Sequence, residues 1–241
     1  SGMKVVIRGL GTVGNYSPLY LIDGVGGDIS TLNPTDIESI DVLKDAASAA
    51  IYGAQAANGV VLITTKSGRE GKAQVNFDAY YGVQNVARKA DMLNAAQYMT
   101  IMDEQALNSG NAAYNWSGFQ SIYDANGNVY DIDWVDTMFK DNAKTESYSL
   151  GISGGSSTSA ISLGYLNQEG VVGGADVSNY ERYNFRINSE HKLFNGLLKV
   201  GEQVSFIYRI NNGINVGNQY NNTLRGAFGV SPLTPVYSDN N

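Results

Sequence analysis

"VVIRGLGTVGNYSPLYLIDG", residues 5–24, opens with an apolar run followed by Gly9, Gly11 and Gly14 in the spacing of a dinucleotide-binding fingerprint. That fingerprint works only if the third glycine opens a helix whose N-terminal amides face a pyrophosphate. Here only Asn15, Tyr16, Ser17 and Pro18 separate Gly14 from the next strand-like run, Leu19 to Gly24, which leaves no room for a crossover helix. Pro18 also disfavours a helical residue before it. The glycines therefore read as a loop between two strands, Val5 to Arg8 and Leu19 to Asp23, and a nicotinamide-dependent oxidoreductase is set aside.

Composition points the same way. The 241 residues include 28 Gly and 16 Tyr but only 4 Pro, with 16% charged, a balance that favours short strands and polar turns. A net charge of -7 opposes a phosphate backbone as partner, so nucleic acid is not expected. With no cysteine and a single histidine, His191, the chain offers neither a zinc cluster nor a Ser/His/Asp triad with a spare base. His191 stands at a strand end and reads as a rim residue. The start, SGMKVV, lacks the basic-then-apolar order of a signal peptide, and Ser1-Gly2 read as a cloning remnant. No apolar run reaches the ~18 residues of a membrane-crossing helix, a test that does not bear on barrels.

After Gly24 comes a loop to Leu32. Asn33 then suits an N-cap, Pro34 a first helical position and Asp36 the third, predicting a short helix before a strand over Ser39 to Lys44. Asp45 is placed to cap an alanine-rich helix that stops at Gly53, and Asn58-Gly59 turns the chain into VVLITTK. Asp23, Asp36, Glu38, Asp41 and Asp45 are dense, but caps and solvated strand faces account for them better than acid/base work does.

Five later stretches alternate with period two. Their apolar sides are Val75 to Val83, Tyr148 to Ile152, Ile161 to Tyr165, Tyr183 to Ile187, and Leu198 to Tyr208, the last carrying Glu202 as a flaw if it meets lipid at mid-depth. The connections alternate long (87–144), tight (GSST), long (EGVVGGADVSN) and tight (FNGL), as in outer-membrane barrels with tight periplasmic turns. A soluble antiparallel sandwich is the alternative. Asn94 is placed to cap a helix over AAQYMTIMDEQALN, and Asp133 to Phe139 forms a shorter amphipathic turn setting Trp134 and Phe139 against the rim. DANGN, residues 124–128, reads as a hairpin turn at Asn126-Gly127, with an oxygen-ligand calcium loop as the alternative that lacks its glycine and final acid.

Several of these segments, in order, resemble one family. "IRGLGTVGNYSPLYLIDGV", "NPTDIESIDVLKDAASAAIYGAQAANGVVLITTKSG" and "YYGVQNVARKADMLNAAQYM" are similar to the plug and first barrel segment of SusC/RagA-like TonB-dependent outer-membrane transporters of Bacteroidetes. "TESYSLGISGG", "ISLGYLNQEGVV" and "YERYNFRINSEHKL" resemble the next strands. The resemblance implies an α+β plug domain followed by antiparallel β-strands of an incomplete transmembrane β-barrel. On that pattern an N-terminally truncated plug occupies residues 1–70, and the first five or so strands with their loops occupy 71–241.

It also implies a transporter and not an enzyme, working without a cofactor or metal in nutrient uptake across the outer membrane. The ligand would be an oligosaccharide or peptide, the lid a SusD-like surface lipoprotein, and the energy source TonB-ExbB-ExbD acting through a missing N-terminal segment. Arg8 and Lys44 match plug positions that face barrel glutamates, although Lys44 replaces the usual arginine and would not make its bidentate contact. Gly11, Asn15, Tyr16, Gly26 and Asp28 lie in the ligand-facing plug loops, and 87–144 is the extracellular segment. No segment reads as a TonB box, and the final GVSPLTPVYSDNN reads as an unfinished loop. Five strands fall short of the ~22 of such barrels, so free edges would pair with a neighbour or aggregate. The rival to all this is a stand-alone surface binding module or adhesin.

Overall fold

The computed structural model describes residue 7 and residues 17–45, 50–68, 71–155 and 158–237. The expectations for Arg8, Gly9, Gly11, Gly14, Asn15, Tyr16 and residues 46–49 lie outside these residues.

A mixed sheet comes first: β1 (Leu19–Ile22), β2 (Val25–Gly26), β3 (Ile37–Leu43) and β4 (Val60–Thr65), in the order β2-β1-β4-β3. β4 runs parallel to β1, with Leu19 opposite Val60 and Ile22 opposite Ile63, and antiparallel to β3. A central strand covered on both faces should be continuously apolar, and VVLI is. Val60 joins Leu21 and Ala56 in one cluster, while Val61 and Ile63 join Leu32 in another.

The expected loop after Gly24 is instead partly a hairpin. Asp23 and Gly24 both take positive φ, 48° and 86°, and pair Ile22 with Val25. Asp-Gly is a strong signal for this two-residue turn, and Asp tolerates the left-handed region better than most side chains. Asn33 caps as expected, its Oδ1 accepting the Thr35 N–H at 3.3 Å, but the helix is one 3-10 turn, Pro34–Asp36, because β3 starts at once. Residues Ala50–Ala56 form 3-10 turns broken at Gly53, φ 70°.

The second sheet is a five-stranded antiparallel array, β5 (Gly71–Gln84), β6 (Ala143–Gly155), β7 (Thr158–Glu169), β8 (Asn179–Leu193) and β9 (Leu198–Asn212), in sequence order. Its two edges do not meet, so the barrel is unclosed. Each strand is longer than its alternating stretch, because the ends carry polar residues that blur the pattern.

The chain divides into two compact units. The first comprises Ser1–Tyr80, Glu146–Leu166 and Arg182–Arg209, and so holds the mixed sheet with most of β5 to β9. The second comprises Tyr81–Thr145, Asn167–Glu181 and Ile210–Asn241. In it α1 (Ala95–Asn108) starts with a full capping box: Asn94 Oδ1 accepts the Gln97 N–H at 2.9 Å and Gln97 Oε1 accepts the Asn94 N–H at 3.1 Å. The short α2 (Trp134–Met138) is capped by Asp133, and Phe139 after it bridges Val172. Two further helices among the described residues are α3 (Gly174–Val177) and α4 (Thr223–Gly229). DANGN is a turn inside the Tyr123–Val129 bridge; Asp124 accepts N–H bonds from Asn126 and Asn128 at 2.9 and 2.8 Å, which hold its carboxyl below the usual range.

Candidate functional site

In the first unit the strands are built inside out. Phe77 is 65% exposed and Phe206 61%, on the apolar face they share with Leu163 and Val204, whereas Ser149, Arg182, Asn184 and Arg186 on the other face are buried. A soluble sandwich hides its apolar faces, so this polarity argues against the sandwich. The outward face also carries a row of tyrosines across four strands, Tyr148, Tyr165, Tyr183 and Tyr208, with ring centroids 5.0 to 6.4 Å apart.

The buried polar face is covered by loops of the mixed sheet. Asp23, at the tip of the β1–β2 hairpin, is the main anchor. Its Oδ1 accepts the Thr65 N–H and its Oδ2 the Thr65 hydroxyl, both at 2.7 Å, which ties it to β4. The same Oδ2 takes Gln203 Nε2 of β9 at 2.7 Å and an ion pair from Arg186 of β8, with both pair members largely buried. The loop from Ser30 to Asp36 adds three bonds to the strands. Arg182 Nη1 donates to the Ser30 carbonyl at 2.8 Å, Thr35 Oγ1 to Ser149 Oγ at 3.3 Å, and Ser162 Oγ to Asp36 Oδ2 at 2.9 Å.

These contacts are polar and side-chain specific, which suits one defined seating more than bulk cohesion. Asp36 and Lys66 border a cavity of about 70 Å³ against Ser149, Ser162, Arg186 and Asn188. Burial raises the Asp36 carboxyl above 3.8, against the opposing pull of the Ser162 hydroxyl and of Arg186, Lys66 and Arg182. An acid held more basic when folded stabilises the seating fully below its unfolded value and loses that contribution as pH rises through the raised one. The seating should therefore weaken with rising pH across that window, and Asp36→Asn should abolish the slope when urea release of this segment is followed against pH.

The residues singled out from sequence fall differently. Gly26 is exposed in β2. Asp28 is exposed too, and caps the next turn; the Ser30 hydroxyl and N–H hold its carboxyl below the usual range, with a further pull from Arg209 on β9. Lys44 is exposed just after β3. Arg8, Gly11, Asn15 and Tyr16 lie outside the described residues. Asp23 and Asp36, read from sequence as surface acids, are seating groups, and the described ion pair places the acid on the loop and the arginine on the strand. The pairing was legible only in part: Arg182, Asn184 and Arg186 share one face of β8, a polar lining with no solvent reason to be so uniform.

In the second unit, helix α1 and a following loop form an aromatic cluster. Tyr114, Trp116 and Phe119 stack at 5.1 and 6.0 Å, and Asp103 fixes them by accepting the Trp116 indole N–H at 3.1 Å and the Tyr114 N–H at 2.9 Å. They border an open cleft of about 400 Å³ with Tyr98, Met102 and Leu233.

Residues 1–60 match the TonB-dependent Receptor Plug Domain, the part of the chain that supplies Asp23 and Asp36. The chain belongs to the SusC/RagA-like TonB-dependent transporters. It is 34% identical over 236 residues to TonB-dependent receptor P39 of Formosa agariphila, covering 91% of this chain and 20% of that protein. It is 30% identical over 255 residues to TonB-dependent receptor SusC of Bacteroides thetaiotaomicron, covering 99% of this chain and 23% of that one. Among solved structures, the RagAB peptide importer in its open-open state superposes with TM-score 0.72 at 28% identity over 88% of this chain and 26% of that one. The SusC/RagA-like chain thus spans about a fifth to a quarter of the length of these relatives. In such a chain the mixed sheet is plug, and the strands whose polar face it covers are wall.

Proposed function

We propose that the whole receptor is an outer-membrane TonB-dependent importer of glycans or peptides, with residues 1–70 contributing plug and 71–241 the first five barrel strands and their loops. What carries this reading is the inside-out wall with plug loops held on its polar face by Asp23, Asp36 and Ser30. An importer needs an obstruction that is fixed in place yet removable, and a few directed polar bonds provide that where an apolar core would not. The energy for removal comes from TonB-ExbB-ExbD, and a SusD-like surface lipoprotein closes the outer side. The protein acts without covalent chemistry. The structural likeness to a peptide importer supports the peptide arm of the ligand class.

Ligand contacts fall to the plug loops around Gly11, Asn15, Tyr16, Gly26 and Asp28, and to the aromatic cleft of the long segment. Arg8 and Lys44 supply the basic plug side of further ion pairs with barrel carboxylates outside this chain. The test is a blot of separated membranes with an antibody raised against these 241 residues. A band several times longer in the outer membrane is expected. A soluble band near 25.9 kDa would support the stand-alone binding module instead.

A further inference from the structure

The net charge of -7 is not spread over the molecule. The second unit carries 12 Asp and Glu against 5 Lys and Arg, whereas the first carries 11 of each, so the whole excess lies in the unit that contains the long connections. Within it, residues 90–139 hold seven acids, from Asp91 to Asp136, and not one Lys, Arg or His. Lys89, just before this segment, is tied to Asp136 at 2.7 Å and Asp141 at 3.6 Å. A surface of one sign raises the local concentration of ligands of the other and disfavours its own.

The aromatic cleft is built from this segment. Tyr98 and Met102 come from α1 and Tyr114, Trp116 and Phe119 from the loop after it, while Leu233 lies opposite and no charged side chain lines the space. Ile132 N–H donates to the Pro232 carbonyl at 2.9 Å and holds the second wall to the first. Tyr114 is 42% exposed and Phe119 45%, so their rings are open to a ligand. Both oxygens of Asp103 accept the Trp116 indole N–H at 3.1 Å, which fixes the ring and sets a carboxylate at its edge. A hydrogen bond donated to an anion polarises the donor, making the indole face more electron-rich.

These features sort the ligands that fit. Aromatic faces attract a cation held within about 6 Å of the ring centroid. The ring planes are tilted by 34° and 49° to one another, so they form walls and not the single flat platform on which a pyranose stacks. Apart from the tyrosines, the polar side chains of the lining are the hydroxyls of Ser121, Ser231 and Thr234, a poor match for a sugar's many donors and acceptors. An apolar side chain gains contact but nothing from the charge, and an anion is opposed by it. A Lys or Arg side chain gains both, with its methylene stem on apolar surface and its head against the rings.

We propose that this cleft is a subsite for the Lys or Arg side chain of a peptide ligand. The acidic unit draws basic peptides in, and Trp116 with Tyr114 and Phe119 retains the cationic side chain. The subsite rests on the importer proposed above and narrows its glycan-or-peptide ligand class to basic peptides.

The test is calorimetric titration of the full-length receptor in mild detergent. The probes are acetylated, amidated Gly-Gly-Xaa-Gly-Gly peptides, with Xaa as Lys, Arg, norleucine or Glu, and maltopentaose. The Lys and Arg peptides should bind about tenfold tighter than the norleucine peptide. That margin should shrink from low salt to about 0.3 M. Trp116→Leu should erase the margin. Phe119→Leu, which leaves the Asp103–Trp116 bonds in place, should reduce it and guards against a folding defect in the first variant. Ile101→Ala, on α1 outside the cleft, should keep it. No difference between the Lys and norleucine peptides, a margin that survives both cleft variants, or maltopentaose binding lost with Trp116→Leu overturns the subsite and leaves the importer standing. Recovery of the receptor from the soluble fraction overturns the importer and the subsite with it.

Discussion

Asp23→Asn should weaken plug seating by about 3–5 kcal/mol, the scale of a buried ion pair broken from one side. The substitution is chosen because Asn accepts the left-handed backbone at this position, φ 48°, so the hairpin tip survives while the charge and one of the two accepting oxygens are lost. Arg186, 7% exposed, then keeps a buried guanidinium with no counter-charge from the hairpin, and its Nε has no partner among the described residues even in the native arrangement. Asp23→Asn combined with Arg186→Met should recover most of the loss, because the uncompensated cation goes with the acid. Urea release of the plug, reported by a fluorophore on Ile51→Cys, measures both; Ile51 is 84% exposed and makes a harmless attachment point. A single variant within about 0.5 kcal/mol of the native receptor would make Asp23 a bystander.

Gly68→Ala should cost about 2–3 kcal/mol or more, for a different reason. Gly68 lies between β4 and β5, and a Cβ there would fall on the backbone N, C and O of Ser159 at the start of β7. Backbone in a hydrogen-bonded strand cannot move aside as a side-chain tip can, so the close approach of linker and wall must open. Gly26→Ala is the matched control, since a Cβ at Gly26 meets nothing within 4 Å. Thermal unfolding of the full-length receptor should show a clear loss for the first and little for the second. Equal behaviour would mean that the linker does not seat on β7.

What was legible in the sequence was whatever repeats locally. Period-two alternation located the five wall strands, and Asn94 and Asn33 announced their turns by capping chemistry that needs only neighbours in sequence. Alternation could not choose between sandwich and barrel, because it records two unlike faces and not which of them is buried. Ser149, Asn184 and Arg186 resolve that only once the loops covering them are seen. The β1–β2 hairpin was overlooked although Asp23-Gly24 is a strong turn signal, because β2 is two residues long and has no pattern of its own. The role of Asp23 was hidden for a deeper reason: its partners Arg186 and Gln203 lie more than 160 residues away, and nothing local distinguishes it from a solvated acid. Glu202, a flaw by pattern, meets Ser189 across the strand pair.

The most direct test of the plug seated on the wall is a cross-link between two uncharged side chains in hydrogen-bond contact across it. Thr35 Oγ1 and Ser149 Oγ are 3.3 Å apart, a separation that cysteines at both positions can close, and these 241 residues contain no cysteine to compete. In the full-length receptor, Thr35→Cys with Ser149→Cys should form a disulfide on mild oxidation and block import until it is reduced. Thr35→Cys with Leu150→Cys, one residue along on the opposite face, should do neither. Failure of the first pair to cross-link, or equal cross-linking by both, would contradict the account.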